Sequence, residues 1–161
     1  MKNATSRPMR RNDRATDEAF ARRVASEAPY GTLLTATPAG EPYGVPVSPV
    51  IEGDKIYFHG AAGKFEALCA NPRCAMVFVS MSAPDEPAFS MNYASALMEG
   101  RATLVTDEVE KMHALWLIGG RWAGSQPIAK RRAYIEGDMA NCDVWRIDVE
   151  AISGKSRDMR R

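Results

Sequence analysis

Three segments of strand character follow one another between Tyr30 and His59, and the joins between them are too short for anything but hairpins. Residues 30–37 are rich in β-branched and aromatic side chains, 42–51 form the next run, and 56–59 read Ile-Tyr-Phe-His. The joins are Pro-Ala-Gly-Glu at 38–41 and Glu-Gly-Asp-Lys at 52–55, both turn-forming in composition. A parallel crossover needs about a dozen residues or more, so neighbouring strands here must pair antiparallel. Further strands are expected at 73–81, at 91–106 with a bend near Gly100, and at 144–152, where Trp145, Ile147, Val149 and Ala151 alternate with polar residues. Thr16 is placed to cap a helix running to Ala28, with Asp17 and Glu18 in its first turn and an apolar stripe at Phe20, Val24 and Ala28. Residues 64–70 read as a short helix, 82–88 as a loop with Pro84 and Pro87, and 107–118 and 128–137 as two helices joined through Gly119-Gly120 and 124–127. The sum is a mainly β fold: a six-stranded antiparallel barrel with appended helices.

A chain of 161 residues fits one domain and can bury a core without disulfides. Charge is uneven. Lys2, Arg7, Arg10, Arg11 and Arg14 face only Asp13 in the first stretch, and Lys155, Arg157, Arg160 and Arg161 face only Asp158 in the last. The expected organisation is a basic arm at 1–15, a barrel domain at 16–155 and a basic tail at 156–161. No nucleic-acid motif accompanies the arms, so they read as solvated or partner-clamping segments. Cys69, Cys74 and Cys142 are odd in number and form no C-x-x-C, which argues against a disulfide framework and a zinc site. The basic N-terminus is followed by no apolar run, and no segment is long and apolar enough to span a bilayer, so the expected location is the cytoplasm.

Two stretches can carry a ligand. Gly44, Pro46 and Ser48 share one strand face that is small and flat, open to a planar group; the same residues also read as an edge strand shielded by proline. The strand ending at His59 runs into Gly60-Ala-Ala-Gly63 and then Lys64. Glycine permits close backbone approach, and free N–H groups beside a lysine attract a phosphate. This is neither a P-loop nor G-x-G-x-x-G. His59 reads either as a hydrogen-bonded strand end or as a contact to a phosphate or ring. Trp145 reads as a core residue or as a wall for a flat ligand, and Asn92, Tyr93 and Ser95 as rim residues or contacts to its edge. No metal-ligand spacing surrounds His59, His113 reads as a structural or surface residue, and no side chain is assigned as an acid or base.

These pieces arrive in an order that resembles the pyridoxamine 5′-phosphate oxidase-like FMN-binding split barrels, in particular their nitroimidazole-resistance branch. The matching residues are Met-Arg-Arg-Asn-Asp-Arg at 9–14, Gly-Glu-Pro-Tyr-Gly-Val-Pro-Val at 40–47, Ile-Tyr-Phe-His-Gly-Ala at 56–61, Gly63-Lys64, Asn71-Pro72, Glu-Gly-Arg-Ala at 99–102 and Ile-Ser-Gly-Lys at 152–155. The resemblance implies a homodimer with FMN at the subunit interface. It implies that Val47 and Ser48 flank the flavin ring, that His59, Gly60, Gly63 and Lys64 form the phosphate turn, and that Ser95 and Trp145 lie near the ring. The second basic residue beside the phosphate lysine and the substrate-binding arginine and histidine of the true oxidases have no match, so oxidation of pyridoxamine phosphate is not expected. The implied activity is an FMN-dependent oxidoreductase, a reductase of nitroaromatic or similar small electron acceptors. The alternative is a flavin- or haem-binding sensor or carrier, for which His59 would be the axial ligand.

Overall fold

The structure is a computed structural model that describes residues 8–157. Of the basic arm it covers residues 8–15 and of the basic tail residues 156–157; the remainder of both lies outside the described residues. Eight strands form one antiparallel sheet: β1 (Ala15–Thr16), β2 (Gly31–Ala36), β3 (Pro42–Val47), β4 (Val50–Glu52), β5 (Lys55–Ala61), β6 (Arg73–Asp85), β7 (Ser90–Leu104) and β8 (Cys142–Arg157). The strand order is β3-β2-β6-β7-β8-β5-β4, with β1 added onto β8. β3 and β4 stand at opposite ends of this path, yet only Ser48 and Pro49 separate them in the chain. The sheet must therefore curl until its two ends meet, which makes a barrel with a seam between β3 and β4.

The count is eight strands where six are expected from the sequence, and both extra strands have a local cause. The predicted strand 42–51 is cut at Ser48-Pro49, where Pro49 supplies no N–H to a ladder. The end of the basic arm adds β1, pairing Ala15 with Lys155 and Thr16 with Gly154. The predicted loop 82–88 is mostly ladder: Ser82, Ala83, Pro84 and Asp85 pair with Tyr93, Asn92, Met91 and Ser90.

Helix α1 (Glu18–Glu27) starts one residue later than expected. Asp17, not Thr16, is its cap, accepting the Phe20 N–H at 2.7 Å, because Thr16 is held in β1. Its buried residues Ala21, Val24 and Ala25 press into the barrel core with Leu33, Ile56, Phe58, Met76, Phe78, Met98, Trp145 and Ile147. The bend at Gly100 is a bulge: Glu99 pairs with Ala151 and Gly100 with Val149, so Glu150 is skipped. A side chain at Gly100 would run into the Asp148 carbonyl. Skipping one residue reverses the alternation, so Ala151 leaves the face it was expected to share with Trp145, Ile147 and Val149.

Helices α3 (Glu108–Trp122) and α4 (Ile128–Asp138) cover the outer side of β5 and β8, building a second core from Tyr57, Val144, Cys142, Leu115, Ile118 and Ile135. α3 passes through Gly119 and Gly120 without ending. Arg121 just beyond donates to the Ala28 carbonyl at 2.9 Å, and Trp122 Nε1 to the Pro49 carbonyl at 3.1 Å. No helix among the described residues is long and apolar enough to cross a membrane.

Candidate functional site

The turn after β5 is where the phosphate was expected, and its geometry is specific. β5 extends through Ala61, two residues beyond the expected end at His59. Gly63 has φ +77°, the left-handed region that disfavours a side chain. Lys64 does not open a helix: α2 is only Ala67–Ala70 and starts three residues later. The turn N–H groups are largely in use. Gly63 N–H donates to the Asp143 carboxylate at 2.8 Å, Lys64 N–H to the Ala61 carbonyl at 3.1 Å, and Glu66 N–H to the Gly63 carbonyl at 3.2 Å. The space a side chain would take at Gly60 is filled by the Phe65 ring. The corner therefore presents a cation rather than a nest of free N–H groups. Lys64 is exposed, its ammonium lies 5.2 Å from the Phe65 ring centroid, and no carboxylate pairs with it among the described residues.

Val47 and Ser48 sit at the seam. Val47 is buried against the barrel core, while Ser48, like Gly44 and Pro46, is exposed. Among the described residues β3 pairs only with β2, so the strand is an edge, and Gly44 and Pro46 stand on its exposed side. Val50 pairs with Tyr57. Continuing that antiparallel register by two residues brings Ser48 level with His59.

His59 and Trp145 do not share a surface. In β5 the side chains alternate, with Ile56 and Phe58 in the barrel core and Tyr57 in the second core. Trp145 lies opposite Phe58, inside the barrel, 2% exposed, and its indole N–H is buried without an acceptor among the described residues. His59 lies opposite Val144 and lines a cavity of about 280 Å³ under α3 and α4. Its Nδ1 is buried with no partner among the described residues, and burial pushes the imidazole below its ordinary value of 6.5, with Asp138 opposing. Ser95 is remote from both. It donates to the Lys155 carbonyl at 3.3 Å and lines an outer groove on β6, β7 and β8 with Val77, Leu97 and Lys155. Cys142 pairs with Ala61 and Lys155 with Ser95, so the Lys64 turn and Ser95 lie on the order of 40 Å apart along β8. The expected site residues thus fall into separate groups within one chain: Gly60, Gly63 and Lys64 in the turn after β5, Val47 and Ser48 at the seam, His59 lining the cavity under α3 and α4, Trp145 inside the barrel, and Ser95 in the groove on β6, β7 and β8.

Two features went unseen in the sequence. The carboxylate that holds Gly63 comes from Asp143, eighty residues away in the chain, and no local pattern announces it. The cavity was more legible: Lys130-Arg131-Arg132 on a helix with a single buried residue, Ile135, marks a helix that packs little and carries cations. Burial raises the Cys74 thiol to about 12, which makes it a core residue and not a nucleophile. No three His, Cys, Asp or Glu residues among those described are grouped to hold a metal ion.

A sheet curled until consecutive strands meet at its seam, with one helix packed into the core and two on its flank, is a split β-barrel. Residues 17–156 match the profile of pyridoxamine 5′-phosphate oxidase, and the chain belongs to that family. Among solved structures it is similar to a candidate 5-nitroimidazole antibiotic resistance protein from Bacteroides thetaiotaomicron, at 25% identity and TM-score 0.73, over 88% of this chain and 85% of that one. It is also similar in fold to the flavocytochrome Anf3 from Azotobacter vinelandii, at 21% identity and TM-score 0.74, over 94% and 72% of the two chains. A third likeness is to the FAD and haem binding protein from Mycobacterium smegmatis, at 19% identity and TM-score 0.70, over 89% and 72%. No curated protein matches the chain.

Proposed function

We propose that this chain is a cytoplasmic FMN-dependent oxidoreductase that works as a homodimer and reduces a nitroaromatic or similar small electron acceptor. The carrying observation is the Lys64 ammonium, exposed in the turn after β5 and without a carboxylate partner among the described residues. Lys64 would hold the phosphate as a point charge, Gly63 would let the chain turn close beneath it, and Val47 and Ser48 would set the ring against the seam. FMN supplies the electron transfer when bound; the protein's part is to hold it and control its surroundings. Family membership supports a flavin, and the flavin- and haem-binding proteins of similar fold support a redox role.

The homodimer is the part of this proposal that gives Ser95 a role. Along β8 on the order of 40 Å of strand lies between the levels of the Lys64 turn and Ser95, so in this proposal Ser95 serves the FMN of a second copy. A second copy can bring its own Ser95 groove to the first copy's Lys64 corner. The outer face of β2, β6 and β7 suits such contact: Leu34 and Val79 are each 40% exposed, and Val77 and Leu97 are half-buried beside them.

Absorption in the near-ultraviolet and visible, on protein as purified and after incubation with FMN, is the primary test. A flavin spectrum and a raised melting temperature with FMN are expected; absence of both defeats the proposal. A Soret band lost in His59→Ala would move the assignment to haem. Lys64→Ala is expected to weaken FMN far more than riboflavin, and equal losses would remove Lys64 from the phosphate site.

A further inference from the structure

Two features have no counterpart within the chain. The first is the end of the β6–β7 hairpin. β2 accompanies β6 only to the pairing of Gly31 with Phe78, and β8 accompanies β7 only to the pairing of Arg157 with Tyr93 among the described residues. Beyond those levels the hairpin continues on its own two strands, from Ser82 opposite Tyr93 to Asp85 opposite Ser90. A two-stranded hairpin is marginal in water by itself. This one is stiffened by Arg157, whose Nη2 lies 3.1 Å from the Asp85 carboxylate. Met81 and Met91 are exposed on it, and at its tip Phe89 is 99% exposed. Phe89 is also the one non-glycine residue with positive φ among those described, at +47°. Glycine or asparagine would suit that conformation better, so the ring is kept at a cost to the fold.

The second feature is the cavity beneath α3 and α4. It measures about 280 Å³, and its walls are almost wholly apolar, formed by Leu115, Ile118, Ala123 and Ile135. Gly119 helps to keep it open, since a side chain there would extend toward Ile135. An apolar space of roughly 150 Å³ takes in a benzene ring, so a phenyl group has room here. Charge matches as well. Glu86 at the hairpin tip and Lys130 at the cavity are both exposed, and neither has an ion-pair partner among the described residues.

We propose that in the homodimer the β6–β7 tip of each copy docks on the other and seats Phe89 in the cavity under the other's α3 and α4. This contact presupposes the homodimer proposed above and is independent of its flavin. A two-fold dimer lets each copy give and receive the same contact. The arm also continues the face already assigned to dimerisation: Leu97, Ser95, Tyr93 and Met91 alternate onto one side of β7.

Phe89→Asn is the first variant to test. Asparagine tolerates the left-handed region and the position is exposed, so the melting temperature of the single chain should not fall. Sedimentation equilibrium is expected to show dimerisation weakened at least tenfold, the scale of a lost aromatic anchor. Ala123→Leu, which fills the cavity from the end of α3, should weaken dimerisation by a similar factor. The double variant should be little worse than either alone, because both changes remove one contact. His59 lines the cavity, so its ring signals in NMR should differ between the wild-type and Phe89→Asn dimers. The proposal is overturned if Phe89→Asn dimerises as tightly as the wild type, if the two substitutions act independently, or if the His59 signals are the same in both dimers. A wild-type chain that stays monomeric removes this contact together with the homodimer. A dimer indifferent to Phe89 removes this contact alone and leaves the homodimer standing.

Discussion

Single residues decide the shape of the Lys64 corner. Gly63 holds φ +77° and donates to Asp143, so the turn is fixed by one backbone conformation and one carboxylate. Gly63→Ala forces a side chain into the left-handed region and is expected to cost about 1–2 kcal/mol. A chain of this size should then melt several degrees lower, which thermal denaturation followed by circular dichroism will read. The glycine was legible in the sequence because glycine beside lysine is a recognisable turn. Asp143 was not, since its role arises only when β8 is laid against β5 in register Gly60 to Asp143. The same limit explains the cap of α1. Thr16 and Asp17 are both good cap residues by type, and only the pairing of Thr16 with Gly154 settles which one serves.

At the scale of elements, ion pairs tie the flanking helices to the barrel. Glu110 of α3 accepts from Arg146 at 2.8 and 3.0 Å and from the Tyr57 hydroxyl at 2.9 Å. Burial, with help from Glu110, pushes Tyr57 up to about 12. The Arg146 bonds hold the Glu110 carboxyl below its ordinary value of 4.5. A depressed carboxylate stabilises the fold above its unfolded value, and that share is lost as pH falls through the folded one. Stability should therefore decline below about pH 4.5, and Glu110→Gln should lower stability at pH 7 while flattening that acid decline, as urea titrations at several pH values will show. Element type was well forecast where periodicity was long, as in α3, α4 and β7. It failed where one residue breaks a ladder or a distant contact overrides a local habit. Pro49 divides a strand that hydropathy reads as continuous, and the Arg121 and Trp122 anchors carry α3 past two glycines.

Among the described residues, no helix covers the outer sides of β2, β6 and β7, and only Met9 of the basic arm lines the groove there. α1 packs into the barrel and α3 and α4 cover β5, so the outer sides of β2, β6 and β7 keep Leu34, Val77, Val79 and Leu97 at the surface. Val79→Lys combined with Leu97→Glu is expected to leave the monomer folded, because both residues are partly exposed, and to shift sedimentation to the single-chain mass. FMN affinity should fall with the dimer if Ser95 of one copy serves Lys64 of the other. Retention of FMN by a monomeric variant would show that one chain suffices. The sequence announced the class of barrel, through its short joins and ordered pieces. It could not announce that residues assigned to one ring lie on three surfaces, since that division depends on side-chain parity across strands paired at long range.

The chain neighbours β3 and β4 are also the outermost members of the hydrogen-bonded path, while β1 lies against the far end of β8. Topologically, the molecule is close to a closed loop of backbone. A circular permutant that joins the chain before β1 to the chain after β8 through a flexible linker and opens between Ser48 and Pro49 would break no ladder bond of the described strands. It should reach the same barrel, with new ends free at the seam between β3 and β4.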